Sequence, residues 1–378
     1  MRRAIVLCPV MALAFLASLV ALLALATGPA LGAASLPSGF TKSRVVTGLT
    51  KPIDMEFAPG GRLFVAEQGG RVLKAMPDGT LAKFLDISSK VASKGERGLQ
   101  SLTFDPNFST HPYVYLLYTR KATDTTPAHN RIVRVTAKDG KVVAGSEKLI
   151  FKLNNQSSAY HMGGAMDFGE DGKLYISTGD NETPDNAQKP TNLFGKMLRI
   201  NKDGTIPTGN PFYATYSGKN RAIWALGLRN PFKFAVKPGG TALFINDAGE
   251  DDWEEINRGT SGANYGWPVH EGVANDPSYV DPIYAYGHPS TTTCRAITGG
   301  AFYKPAKVQF PGEYVGDYFF TDVCTGWIKS YDPATDTASG FATGLSRIVD
   351  LEVSKSGALY YLSRGDPALV GKITYAGN

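Results

Sequence analysis

The residues best suited to chemistry stand at the two ends of one short stretch. It runs His161-Met162-Gly163-Gly164-Ala165-Met166-Asp167-Phe168 and continues from Asp171-Gly172-Lys173-Leu174-Tyr175-Ile176-Ser177-Thr178-Gly179 to Asp180. The pattern predicts a strand, a tight turn and a returning strand, which places His161 and Asp180 side by side at one end of a hairpin. A neutral imidazole held in one tautomer by a carboxylate is the usual composition of a general base working near neutral pH. The plain alternative is a half-buried histidine that satisfies its hydrogen bonds locally. What favours the base is the way the rest of the chain repeats this hairpin.

One phrase recurs six times: an apolar strand, a Gly-x-Leu-Tyr-like strand, and a third strand that often begins with Gly. It opens at Pro52 to Phe57 and returns at Leu99 to Phe104, at the His161 hairpin, at Pro231 to Val236, at Ile297 to Tyr303 and at Ile348 to Val353. Several copies carry a further short strand, as at Leu81 to Leu85 and Lys148 to Leu153. Six units of three or four antiparallel strands predict an all-β fold, a six-bladed β-propeller of four-stranded blades. Two packed sheets are the structural alternative, but they would not produce six copies of one phrase. Radial stacking buries both faces of a sheet, which accounts for the near-continuous apolar runs.

In such a blade the first strand lines the central channel and the second runs back beside it. Residues just before the first strands and just after the second ones must therefore share one rim. This gathers Lys51, Glu96-Arg97, Tyr160-His161, Arg229-Asn230, Arg295 and Arg347 with Glu67-Gln68, Arg120, Asp180-Asn181, Asp247 to Glu250, Asp322 and Arg364 to Asp366. Charge at this density around one channel mouth points to a ligand site. Several arginines around a base suggest an anionic ligand. The acidic run Gly249-Glu250-Asp251-Asp252 could hold a hard cation, although it lacks EF-hand spacing. Asn264-Tyr265-Gly266-Trp267-Pro268 reads as an aromatic turn that walls the site or merely packs.

The 378 residues, 43% hydrophobic and 19% charged, are those of a folded globular chain. Met1-Arg2-Arg3, the apolar run Val10 to Ala26 and the small residues after it predict a cleavable secretory leader over residues 1–34, with the propeller over 35–378. A retained membrane anchor is the competing reading, since the apolar run is long enough to span. After cleavage no stable membrane span is expected, and the localisation is secreted or periplasmic. The formal charge of +5 falls to +3 without Arg2 and Arg3, too little and too dispersed to argue for a nucleic-acid partner. Two cysteines remain, Cys294 and Cys324, and an oxidising compartment predicts a disulfide between them.

With these residues in view, the chain resembles the glucose/sorbosone dehydrogenase family, the soluble quinoprotein sugar dehydrogenases, from about Leu49 to Thr374. The carriers are Gly98 to Pro106, His161 to Asp180, Gly227-Leu228-Arg229-Asn230-Pro231, Glu255-Ile256-Asn257 and Asn264 to Pro268. The resemblance implies pyrroloquinoline quinone (PQQ) over the channel mouth with Ca²⁺ beside it, and an unknown onward electron acceptor. It makes His161 the base, Asp180 its orienting acid, and Arg229, Asn230 and Arg347 contacts of the quinone. Gly249 and Glu250 stand where the family gives two backbone carbonyls to the metal. Four positions depart from the family's pattern: Glu96 replaces a Gln at a cofactor-contacting position, Ala248 another Gln, Cys324 a Lys, and Val349 one of a pair of arginines. Loss of two cations and gain of an acid weaken the grip on a tricarboxylate, unless Arg97, Arg295 or Lys329 compensates. The expected function is oxidation of an aldose or related alcohol. The alternatives are a binding propeller like that of hedgehog-interacting proteins and a Ca²⁺-dependent lactonase-type hydrolase.

Overall fold

The computed structural model describes residues 34–240, 242–290 and 294–377. Residues 1–33, and with them nearly all of the expected leader, lie outside the described residues. Among the described residues no helix is long and apolar enough to cross a membrane.

Six antiparallel sheets are arranged as blades around a pore, as the repeat predicts. Blade one is Pro52–Phe57, Leu63–Glu67, Arg71–Ala75 and Leu81–Asp86, and blade two is Leu99–Phe104, Tyr113–Arg120, His129–Lys138 and Lys148–Asn155 with a short Lys141–Val142 addition. Blade three is Gly163–Phe168, Leu174–Thr178, Lys196–Ile200 and Ile223–Leu226. Blades four and five start at Pro231–Val236 and Ile297–Phe302 and end at Tyr284–Gly287 and Thr337–Ala342. Blade six combines Ile348–Val353, Leu359–Ser363 and Leu369–Tyr375 with Phe40–Thr47, the first strand of the described chain. That last pairing, Phe40 opposite Tyr375, joins the two ends of the propeller and closes the ring.

The second strands Leu63–Glu67, Leu243–Asp247 and Tyr318–Asp322 and the inner strands Leu99–Phe104 and Ile297–Phe302 consist of buried residues throughout. Apolar side chains fill the spaces between adjacent blades, as where Phe64 and Val72 of blade one meet Leu99, Leu102, Phe104, Val114, Leu116 and Tyr118 of blade two. Radial packing of this kind hides both faces of each sheet from water.

Each inner strand departs from regular pairing near its rim end, between Pro52 and Asp54, Leu99 and Ser101, Gly163 and Met166, Pro231 and Lys233, Ile297 and Gly300, and Ile348 and Asp350. A bulge re-aims the residue it inserts. Here five of those residues, Ile53, Gln100, Phe232, Thr298 and Val349, line one cavity in the pore. The next level down carries Asp54, Lys233 and Asp350. Lys233 Nζ sits 3.0 Å from Asp350 Oδ2 and also pairs with Asp54, so blades one, four and six are tied across the pore.

Candidate functional site

The upper cavity measures about 370 Å³, within the roughly 300–1,000 Å³ of small-molecule and cofactor sites. Besides the bulge residues it is lined by Gln68, Glu96, Tyr160, Gly163, Asn230, Lys233, Ala248, Val323, Arg347 and Arg364. Seven residues of the rim deduced from the repeat are on this wall, Gln68, Glu96, Tyr160, Asn230, Ala248, Arg347 and Arg364, while the rest of that set, His161 and Asp180 among them, is not.

His161 and Asp180 meet as the hairpin predicts, with His161 Nδ1 2.8 Å from Asp180 Oδ1. Asp180 is fully buried, while the His161 side chain keeps 18% of its surface accessible. A second donor, the Glu182 N–H, reaches Oδ1 at 2.8 Å, and the indole N–H of Trp267 reaches Oδ2 at 2.9 Å. An ionised carboxylate with this donor set places the proton of the imidazole on Nδ1 and the lone pair on Nε2. Among the described residues Nε2 has no hydrogen-bond partner. Tyr160 and Gly163, on either side of His161, line the main cavity; His161 itself does not, and borders instead a neighbouring recess of about 10 Å³.

A comparison of the blades shows why Asp180 is free for this contact. In blades one, four and five the acid at the end of the second strand secures the loop before the inner strand. Glu67 accepts the Thr50 N–H at 2.6 Å, Asp247 the Arg229 and Asn230 N–H groups at 2.9 and 2.7 Å, and Asp322 the Ala296 N–H at 3.0 Å. In blade three this task passes to the neighbouring blades. Glu96 accepts the Met162 N–H at 3.1 Å and Asn230 Oδ1 the Gly163 N–H at 2.9 Å. Asp180 is left to the imidazole. His161 itself has φ 51°, a left-handed backbone that histidine tolerates better than most residues. Gly179 permits the close approach, because a Cβ there would stand 2.2 Å from the His161 carbonyl oxygen.

The other expected contacts divide. Asn230, Glu96 and Arg347 line the cavity, and Glu96 Oε2 also receives Asn230 Nδ2 at 3.3 Å. Arg229 does not line it. Its guanidinium lies 5.4 Å above the Trp267 ring, donates to the Ala248 carbonyl at 3.1 Å and faces Glu250 at 3.8 Å. Gly249 is held tightly, since a Cβ there would meet the Trp253 carbonyl oxygen and Glu271 Oε1 at 1.7 and 2.2 Å. Among the described residues no three His, Cys, Asp or Glu side chains converge as a metal site. Asp247 is buried beside Glu255, which pushes its carboxyl well above the usual range against the pull of its two N–H donors.

Cys294 and Cys324 are joined in a disulfide, adjacent to Val323 of the cavity wall. None of the three cations named as compensating lines the cavity. Arg97 donates to Gln156 Oε1 and the Ser158 carbonyl at 2.9 and 2.7 Å. Lys329 lies 4.8 Å over the Trp327 ring, and Arg295 reaches the Cys294 carbonyl at 3.3 Å. Arg364 is the additional cation on the wall, together with Gln100, whose buried amide has neither atom hydrogen-bonded. Sequence signals for both existed: Arg364 belongs to the rim set, and Gln100 lies in the Gly98 to Pro106 stretch.

The glucose/sorbosone dehydrogenase family profile matches residues 49–371. The chain belongs to this family. It is similar to quinoprotein glucose dehydrogenase B of Acinetobacter calcoaceticus, 28% identical over 74% of this chain and 63% of that protein. The aldose sugar dehydrogenase YliI of Escherichia coli is 28% identical over 83% of this chain and 87% of its own. In three dimensions the PQQ-bound aldose sugar dehydrogenase of Streptomyces coelicolor, at 22% identity, covers 90% of this chain and 99% of its own with a TM-score of 0.75, the same fold. The described glucose/sorbosone dehydrogenase propeller thus carries its polar groups at the channel mouth that the repeat singled out.

Proposed function

We propose that this chain is an extracytoplasmic oxidoreductase that oxidises an aldose or a related alcohol, with PQQ as the electron acceptor and His161 as the general base. The observation that carries the reading is the His161–Asp180 pair at 2.8 Å, with Nε2 unpartnered on a turn whose residues Tyr160 and Gly163 line a cavity of cofactor size. The cavity suits a flat polyanion bearing carbonyls. Arg347 and Arg364 supply positive charge and Gln100 an unused donor and acceptor. Asn230 and Glu96 also border it, while Arg229 fixes the Ala248 to Glu250 turn from behind. Gly249 and Glu250 are the residues that would hold Ca²⁺, a hard cation that accepts main-chain oxygens; neither lines the cavity, but Ala248, next to them in the turn, does. When bound, PQQ with Ca²⁺ supplies an electrophilic acceptor for the hydride of the substrate's C–H bond.

The chain's own part is proton management. Nε2 takes the proton of the reacting hydroxyl as the carbon loses its hydride, so the alcohol becomes a carbonyl and the imidazole an imidazolium. Asp180 stabilises that cation through Nδ1–H and does so without solvent, because it is fully buried. Glu96 and Asn230 hold the turn that sets the position of the ring.

Purified protein reconstituted with PQQ and Ca²⁺ should reduce an electron-accepting dye with one or more members of an aldose panel. His161→Ala should retain the cofactor and lose about 100-fold or more in turnover. Absence of turnover from the reconstituted protein across the panel overturns the reading. The N-terminus of the exported protein, read by mass spectrometry, should begin near residue 35.

A further inference from the structure

Arg347 and Arg364 share the cavity wall without an acid between them. The Arg364 N–H donates to the Arg347 carbonyl at 2.9 Å, so the two residues leave adjoining strand ends of blade six together. Among the described residues neither guanidinium enters an ion pair. Burial, and then the neighbouring Arg347 charge, push Arg364 below the ordinary guanidinium value. Two like charges in a partly dry cavity cost stability until an anion joins them.

The surroundings hold Arg364 in place rather than neutralise it. Its Nη2 donates to Gln68 Oε1, and Gln68 is locked with its amide nitrogen on the Gly95 and Arg97 carbonyls, both at 2.7 Å. Glu96 is the one carboxylate among the residues lining the cavity, and its Oε2 is turned to the Met162 N–H and Asn230. Lys233, at the floor, is already paired with Asp54 and Asp350. Gln100 is 5% accessible, lines the same cavity and has both amide atoms without a partner. Val349 is buried and apolar, and Cys324 is consumed in the disulfide. The charge those two positions lack is therefore present on a different strand end.

We infer that Arg364 and Arg347 form a carboxylate clamp in this cavity, and that Gln100 hydrogen-bonds a carbonyl or ring N–H of the same ligand, which is a flat aromatic polycarboxylate. That the ligand is PQQ rests on the function proposed above; the clamp rests on the unpaired arginines and the orphaned amide.

The test is calorimetric titration of the full mature protein, free of cofactor, with two probes: PQQ plus Ca²⁺, and pyridine-2,4,6-tricarboxylate, which cannot accept a hydride. Arg364→Gln should weaken both by about tenfold or more, Arg364→Lys should weaken them less, and Arg62→Gln on the outer surface should leave both unchanged. Binding of the tricarboxylate that depends on Arg364, without binding of PQQ, upholds the clamp and overturns the quinone. Binding of either probe that is unaltered in both Arg364 variants overturns the clamp and leaves the quinone reading standing. Absence of binding of both probes at millimolar concentration overturns the clamp.

Discussion

At the scale of single residues, Trp267 deserves the role of positioning residue for the His161–Asp180 pair. Its indole N–H is the sole hydrogen bond to Asp180 Oδ2 among the described residues, while His161 and the Glu182 N–H share Oδ1. The ring is itself fixed, by Arg229 over one face and by Gln188, whose amide donates to the Trp267 carbonyl at 2.7 Å. Trp267→Phe keeps an aromatic ring under Arg229 and removes the donor. A buried carboxylate oxygen left bare costs about 1–3 kcal/mol, and its less dispersed charge holds a protonated imidazole more tightly. A base works only when neutral, so the acid limb of the pH–rate profile should move to higher pH by about half a unit or more. A variant with lowered stability and an unmoved profile would show that Trp267 only packs.

At the scale of elements, the closing strand Phe40–Thr47 determines whether the ring stays shut. Phe40 anchors it with ring centroids 4.8 Å from Phe310, 5.0 Å from Phe341 and 4.9 Å from Tyr375. Truncation of a buried Phe to Ala costs about 3–5 kcal/mol. Phe40→Ala should lose that much in urea unfolding, with little change in turnover while folded. A loss below about 1 kcal/mol would mean that backbone pairing with Leu369–Tyr375 suffices.

This strand is not legible in the sequence, because Thr41-Lys42-Ser43-Arg44 is polar and exposed and carries no apolar trace. The outer strand Tyr284–Gly287 is short and only half-buried and leaves little apolar trace, whereas Ile223–Leu226 is apolar and buried but is separated from Lys196–Ile200 by a long connection that breaks the blade's phrase. The inner strands are legible because one phrase recurs six times, with apolar residues such as Met55, Phe234 and Leu351 next to the pore residues Asp54, Lys233 and Asp350. His161 and Asp180 could be paired from sequence because a hairpin joins their positions. The roles of Glu96, Asn230 and Trp267 toward them could not, since these contacts cross between blades and depend on side-chain direction. Most rim acids proved to secure loops, which a list of charges cannot distinguish from ligand contacts.

At the scale of the whole molecule, the Lys233–Asp54–Asp350 triad divides the pore into the upper cavity and a lower one of about 200 Å³. The lower one is acidic, with Glu56, Asp167 and Glu352 beneath the triad. Burial first, with mutual repulsion added, raises Asp167 to about 6 and Glu56 and Glu352 well above the usual range. Asp350 is raised to about 7 by burial despite the opposing pull of Lys233. Burial raises Glu254 and Glu255 of blade four to about 8 and about 7, with the same sign. A carboxyl whose folded value lies above its unfolded one binds its proton more tightly in the folded state. The folded chain therefore loses stability as pH rises from the unfolded values near 4 through the folded values of 6 to 8. Lys233 is raised instead, so its contribution is intact below the ordinary lysine value and constant across this window. Thermal unfolding should accordingly give a higher Tm at pH 5.5 than at pH 8. Glu352→Gln removes one of the repelling charges on the side of the triad away from His161. It should flatten that slope and raise Tm at pH 8 by about 2 °C or more, with turnover unchanged. A Tm that rises with pH, or a Gln variant less stable at pH 8, would show that the lower carboxylates are stabilised as anions, and the triad would then be one part of a larger balanced network rather than the counter-charge of the lower cavity alone.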